Sequence, residues 1–456
     1  LAVSIPPAVS IPPTYRYSIM IKINLVSLRS LRRSLALLLL LSPGTLATAE
    51  DSVGQWAQWR GPNRDGISTE KGLLKSWPDQ GPNLDYRVKG LGGGMSSVAI
   101  ADGKILTMGG KDGSTQLICL GQQDGQILWS TAFTPSKQDP TCSPTIDVAS
   151  NLVYALSNDG VLVCCKLDDG TEVWKTSFTA DFGGKIESSW GYSESPLVDG
   201  DLLICTPGAQ GAMVVALEKT TGKVVWKGRA PEGNLLGNDG AGYSSVVISK
   251  AAGIKQYVQL IGHGIVSYEA ETGELLWNYD RIANRTANIP TPITKDNYVF
   301  CSTGYDDGGT ALLEINKKGK KLSVKEVYYK TNKELQNHHG GMIMIGNYVY
   351  MGHGHNNGFP ACVEWKTGKN LWGKSRGAGT GSAAVVAADG KLYFRYQDST
   401  MALISTKKDK YELISQFKLP SHNGESWPHP VIAGGKLIIR DQDELFCFDL
   451  TSSDKE

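Results

Sequence analysis

Beyond Leu41 the chain lacks any apolar run long enough to cross a bilayer as a helix, which speaks against a transmembrane segment in the rest of the protein. Charge of one sign is also lacking. There are 46 Lys and Arg against 45 Asp and Glu, with no basic stripe of the kind that nucleic-acid recognition needs, so nucleic acid is not an expected partner. No Ser-His-Asp set, phosphate loop or dinucleotide fingerprint stands in a credible context. Histidine is scarce, with 7 in the whole chain, and helix formers are not enriched. Glycine is abundant at 53, beside 11 Trp and 18 Tyr, a composition that points to many short strands joined by tight turns.

The first segment reads as an export signal. Lys22, Arg29, Arg32 and Arg33 precede the apolar run from Leu35 to Leu41 and the small-residue site Ala47-Thr48-Ala49, the order expected of a cleavable signal peptide. Residues 1–19 are Pro-rich, stand ahead of Met20 and read as an overlong start; residues 20–49 are the signal peptide. Without residues 1–49 the chain has 41 basic and 45 acidic residues, a formal charge of −4. A periplasmic or extracellular monomer is expected, with no transmembrane segment.

A repeat dominates the remainder. The stretch from Ala216 to Trp226 recurs in outline as Cys119 to Trp129, Cys164 to Trp174, Ser267 to Trp277 and Cys362 to Trp372. Each copy has a small residue ten positions before the Trp and a Gly four before it (Gly125, Gly170, Gly222, Gly273, Gly368). Two apolar runs around a turn with Gly form a hairpin, in which the Gly supplies the positive φ. Two further strand signals precede each hairpin, giving four antiparallel strands in about 45 residues, the period of a propeller blade. Ala311, Ala402 and Cys447 mark three more units without the Trp. The expected fold is therefore all-β, an eight-bladed β-propeller over residues 92–450. The eighth unit stops after its third strand, so Leu84 to Val88, within an N-terminal arm of residues 50–91, is expected to close the last blade; residues 451–456 are a tail.

The eleven-residue pattern with Ala first, Thr-Gly within and Trp last resembles the tryptophan-docking repeat of the pyrroloquinoline quinone (PQQ) propeller family. That family includes quinoprotein alcohol dehydrogenases, which bind PQQ and calcium at the propeller centre, and BamB-like outer-membrane assembly lipoproteins, which carry the repeat without a cofactor. The opening from Gln58 to Gly66 is similar to that of secreted PQQ-repeat proteins of planctomycete type. The resemblance implies docking roles for Trp129, Trp174, Trp226, Trp277 and Trp372, with the small residue giving room to a neighbouring indole. Trp56 and Trp59 are expected to pin the arm to the propeller, and Arg60 and Arg64 to pair with carboxylates.

Of 8 cysteines, Cys119, Cys164, Cys362 and Cys447 occupy the small-residue position and read as buried hydrophobes rather than disulfide partners. The adjacent pair Cys164-Cys165 lies within a strand, where consecutive side chains point to opposite faces.

Candidate site residues fall in loops that gather on one face of the ring: Trp190, Tyr192, Glu194, Asp239, Tyr243, Asn288, His338, His339, Trp427 and His429 in loops entering the innermost strands, and His353, His355 and Arg395 near those joining second and third strands. Ligand or partner binding is expected there, of an envelope protein, a peptide or a glycan. His338, His339, His353 and His355 could hold a transition metal. The resemblance implies Glu194, Asn288 and Asp239 or Asp306 as oxygen ligands if calcium and PQQ bind, with alcohol oxidation as the alternative function.

Overall fold

Eight sheets of four antiparallel strands each are seen in the computed structural model, which describes residues 54–136, 138–305, 307–319, 321–373 and 375–452. The signal peptide, the overlong start and Asp306 lie outside the described residues. Blade 1 comprises Ala99–Ala101, Lys104–Lys111, Ser114–Gly121 and Ile127–Pro135, counted from the inner strand outward, and blades 2 to 7 repeat this order along the chain. Blade 8 has Val431–Ala433, Lys436–Asp441 and Glu444–Asp449 from the C-terminal end, and its outer strand is Leu84–Val88. Pairing of Tyr86 with Cys447 and of Val88 with Leu445 thus closes the ring. The added strand covers the edge of Glu444–Asp449, which would otherwise be free to pair with another chain.

Register explains the repeat. The small residue stands directly opposite the aromatic of its own outer strand: Cys119 pairs with Trp129, Cys164 with Trp174, Ala216 with Trp226, Ser267 with Trp277, and, where Trp is missing, Ala311 with Tyr329 and Cys447 with Tyr86. In blades 1 to 4 the register slips by one residue immediately after that pair. Such a bulge bends the outer strand and re-aims its side chains.

For three of the indoles, room also comes from the turn glycine of the following blade. A Cβ on Gly170 would lie 2.5 Å from the Trp129 ring, one on Gly222 2.8 Å from Trp174, and one on Gly273 2.4 Å from Trp226. Gly222 and Gly273 have φ of 72° and 73°, so glycine answers both the turn and the close approach. The indole nitrogens then donate across the seam, from Trp129 to Leu167 O (3.1 Å), Trp174 to Lys219 O (3.0 Å), Trp226 to Ala270 O (3.2 Å) and Trp372 to Lys407 O (2.9 Å). Tyr86 does the same from blade 8 to blade 1 through Gln122 O (2.8 Å). Trp277 instead donates to Gln256 of its own blade. Trp226, Trp277 and Trp372 are buried, whereas Trp129 and Trp174 are half-buried.

All eight cysteines are free and buried. Burial pushes the thiols of Cys119, Cys142 and Cys165 up to about 12, which keeps them protonated and unreactive at neutral pH.

Among the described residues no helix is long and apolar enough to cross a membrane.

Candidate functional site

The space between the inner strands is filled by the N-terminal arm. Trp56 pairs with Ile100 of blade 1, and Ala57 O accepts from Ile146 N of blade 2. Arg64 donates to Ser195 O (2.7 Å) and Pro196 O (3.2 Å) at the start of blade 3. Trp59 Nε1 donates to Thr291 Oγ1 ahead of blade 5 (3.1 Å), and Arg60 to Met342 O of blade 6. Gly66 and Ser68 bond both ways with Ala387 of blade 7. The Glu70 carboxylate accepts from Gly434 N and Gly435 N of blade 8. Arg60 and Arg64 are held by backbone carbonyls rather than by the carboxylates expected for them. The peptide groups at the tops of the inner strands have no further strand to pair with, and buried carbonyls need donors; a guanidinium with five N–H groups meets that need.

Trp59 and Arg60 form the floor of a cavity of about 320 Å³, walled by loops entering the inner strands. Trp190, Tyr243, His338, His339, Trp427 and His429 line it, as do Tyr305 and Gln397. The walls are packed rings: Trp190 meets Trp427 edge-on at 5.9 Å, Trp427 meets His339 at 5.1 Å, His339 meets His338 at 4.5 Å, and Trp59 meets His429 at 4.6 Å. His355 sits behind, 4.3 Å from the His338 ring. At the rim Trp190 is 53% exposed, which makes it a large apolar side chain left to solvent in a loop otherwise held down by Tyr243.

Three of these imidazoles, His338, His339 and His429, are held neutral. Burial, with His339 and His355 beside it, pushes His338 down to about 2; burial and the nearby His429 and His355 push His339 to about 3; burial and Arg60 push His429 to about 3. His338 Nδ1 bonds Ser382 Oγ at 2.7 Å, and His429 Nε2 bonds His339 O at 3.2 Å. Yet His338 Nε2, His339 Nδ1 and Trp427 Nε1 are buried without a partner. Each such orphan costs about 1–3 kcal/mol.

The other expected residues lie elsewhere. Tyr192 is buried against Phe178 and donates to Pro207 O. Glu194 is enclosed, accepting from Thr206 N and Oγ1. Asp239 forms exposed pairs with Lys185 and His263. Asn288 is held by Glu187 and Asn284. His353 bonds Gln336. Arg395 is fully buried in an ion pair with Asp441, whose Oδ1 also accepts from Ser426. Polar residues in strand-end loops give the same sequence signal whether they brace the loop or face the cavity, so spacing alone does not sort them. Trp59 and Arg60 belong to the arm, and nothing in their spacing shows that the arm turns into the ring.

Among the described residues no group of three or more His, Cys, Asp or Glu side chains is placed to hold a metal ion. The His338-His339 pair and His355 pack ring against ring instead.

Comparison with known proteins gives the lineage. BamB from Moraxella catarrhalis matches with a TM-score of 0.56 at 13% identity, covering 82% of this chain and 99% of that one. The quinohemoprotein alcohol dehydrogenase from Comamonas testosteroni matches with a TM-score of 0.60 at 11% identity, over 89% of this chain and 82% of that one. The quinohemoprotein alcohol dehydrogenase ADHIIG from Pseudomonas putida HK5 gives 0.54 at 14% identity, over 88% and 81%. At such identities the likeness shows the fold alone. No curated protein matches in sequence. The family model described as outer membrane protein assembly factor BamB matches residues 140–374, more than half of the chain, and the chain therefore belongs to that family of PQQ-type repeat propellers.

Proposed function

We propose that this propeller is an exported binding protein of the cell envelope, which takes its ligand or partner over the aromatic cavity on the loop face. The observation that carries this reading is the cavity itself, rimmed by an exposed Trp190 and walled by aromatic rings and polar side chains. Concave, mostly apolar sites with a few convergent polar groups are the usual form of a binding pocket, and a solvent-exposed Trp is the residue type most enriched where binding energy concentrates. The basic stretch ahead of the apolar run Leu35 to Leu41, and the kinship to BamB, support an envelope location.

Alcohol oxidation with PQQ and calcium fits less well. Glu194, Asn288 and Asp239 already serve Thr206, Glu187 and the Lys185–His263 pair, and none of the three lines the cavity. The residues present do not fit a PQQ–calcium centre, so the geometry supports no hydride transfer from an alcohol.

A photo-crosslinking side chain placed at position 190 in producing cells tests the site. A discrete adduct at 190, absent when the same group replaces Val148 in an inner hairpin turn on the opposite face, is the expected outcome; identical patterns at both positions would overturn it.

A further inference from the structure

We propose that the cavity is a saccharide site, in which an uncharged pyranose unit packs its C–H face on Trp190 and Trp427 and directs its hydroxyls to the polar wall. The inference rests on the reading of the same cavity as a binding site.

Three features of the wall select this chemistry. Among the described residues that line the cavity, Arg60 and Glu425 are the only charged ones, so an anion or cation entering it would lose hydration without a matching set of counter-charges. Arg60 gives Nη2 to Met342 O and Asp65 O, and its Nε and Nη1 are buried, so it presents no accessible N–H to the cavity. The apolar part of the wall combines Met95, Ile289 and Pro428 with aromatic rings, and the 66° angle between the Trp190 and Trp427 rings gives a corner of two indoles. Flat rings with a negative face attract the weakly positive C–H bonds of a sugar, and a corner of two holds one ring in a single orientation.

The polar part of the wall consists of groups that both donate and accept. Neutral imidazoles, as at His338 and His339, carry one donor and one acceptor nitrogen, and Thr141, Ser193 and Gln397 have the same double capacity. A sugar hydroxyl also donates and accepts, so it can meet either sense of such groups. A peptide is the weaker match. Its ends bring charges that the wall does not answer, and its interior binds best by adding a strand to an open sheet edge, whereas this cavity is walled by loops.

The test is titration of the purified protein, by calorimetry and tryptophan emission, with neutral hexasaccharides of β-1,4-glucose, α-1,4-glucose and β-1,4-N-acetylglucosamine, with the corresponding monosaccharides, and with hexagalacturonate as the charged comparator. At least one neutral saccharide is expected to bind with a change in emission. Trp190→Ala and Trp427→Ala should each weaken that binding roughly tenfold or more, while Val225→Ser, on the exposed outer strand of blade 3, leaves it unchanged. A hexasaccharide that binds more tightly than its monomer points to a glycan; equal affinities point to a free sugar. Hexagalacturonate binding better than every neutral chain would overturn the proposal, as would no neutral saccharide binding at millimolar concentration, or binding that survives both Trp substitutions. If saccharides fail and the crosslinker at 190 still captures a polypeptide, the binding-site reading stands and the saccharide falls. If neither yields a contact, both fall.

Discussion

At the scale of single residues, identical repeat positions carry unequal shares of the packing. Trp226 is 8% exposed and its ring lies against the Gly273 turn with its nitrogen on Ala270 O, whereas Trp129 makes the equivalent contacts half-buried. Replacement of a buried Trp by Ala costs about 3–5 kcal/mol, from lost burial and the cavity left behind. Trp226→Ala is therefore expected to fall in that range in chemical denaturation, with Trp129→Ala below it; equal losses would mean that the seam, rather than burial at each site, sets the energy. The cysteines give the opposite lesson. Cys119, Cys164 and Cys447 are interchangeable with Ala216 because what the position needs is a small side chain across from an aromatic, and their equivalence in the repeat was enough to read them as packing residues.

At the scale of the blade, the joint is a ring from one outer hairpin set on the glycine turn of the next. Gly273→Ala would put a Cβ 2.4 Å from Trp226 Cε3 and also force an L residue to a φ of 73°. Overpacking of this kind typically costs about 1–3 kcal/mol, and the strained φ adds to it. A lowered thermal midpoint is expected for Gly273→Ala, together with a red-shifted or broadened Trp emission as the indole is displaced; the double variant with Trp226→Ala should lose less than the sum of the two, because the clash disappears with the ring. Strand number, blade count and the closing segment were legible in the sequence, since each rests on a local period. The partner of each Trp was not, because the eleven-residue window joins a Trp to its own hairpin while the contact runs to the next one about 45 residues on. The same limit applied at the site. Loop residues on the right face were recognisable, but the arm's turn into the ring depends on carbonyls of Ser195, Pro196 and Met342 that have no sequence signature.

At the scale of the molecule, buried ionisable groups and ring closure both act on global stability. His338, His339 and His429 are held well below the ordinary histidine range by burial, so below about pH 6 the unfolded chain takes up protons that the folded one refuses, and stability falls as pH drops. Glu187 and Glu194 are pushed by burial up to about 7 and about 8; between about pH 4.5 and 8 the unfolded chain releases protons that the folded one keeps, and stability falls as pH rises. Three groups against two give a maximum near pH 6–7 in the thermal midpoint, and Glu194→Gln should flatten its alkaline side. A midpoint constant from pH 4 to 8 would show that these groups ionise in the fold as they do in water. Closure is the second global term. The strand Leu84–Val88 lies more than 300 residues from Glu444–Asp449 in sequence, and its pairing covers the edge of that strand. Tyr86 serves that joint twice, through the ladder to Cys447 and through its hydroxyl to Gln122 O of blade 1. Tyr86→Phe removes the hydroxyl bond alone and is expected to cost about 0.5–1.5 kcal/mol. Tyr86→Pro also puts a ring without an N–H into the short closing strand, which is expected to loosen its pairing and leave the edge of Glu444–Asp449 exposed for pairing between molecules. Light scattering should then show self-association for Tyr86→Pro and not for Tyr86→Phe; a monomeric Tyr86→Pro with an unchanged melt would mean that the arm's carbonyl contacts inside the ring hold it closed without the strand.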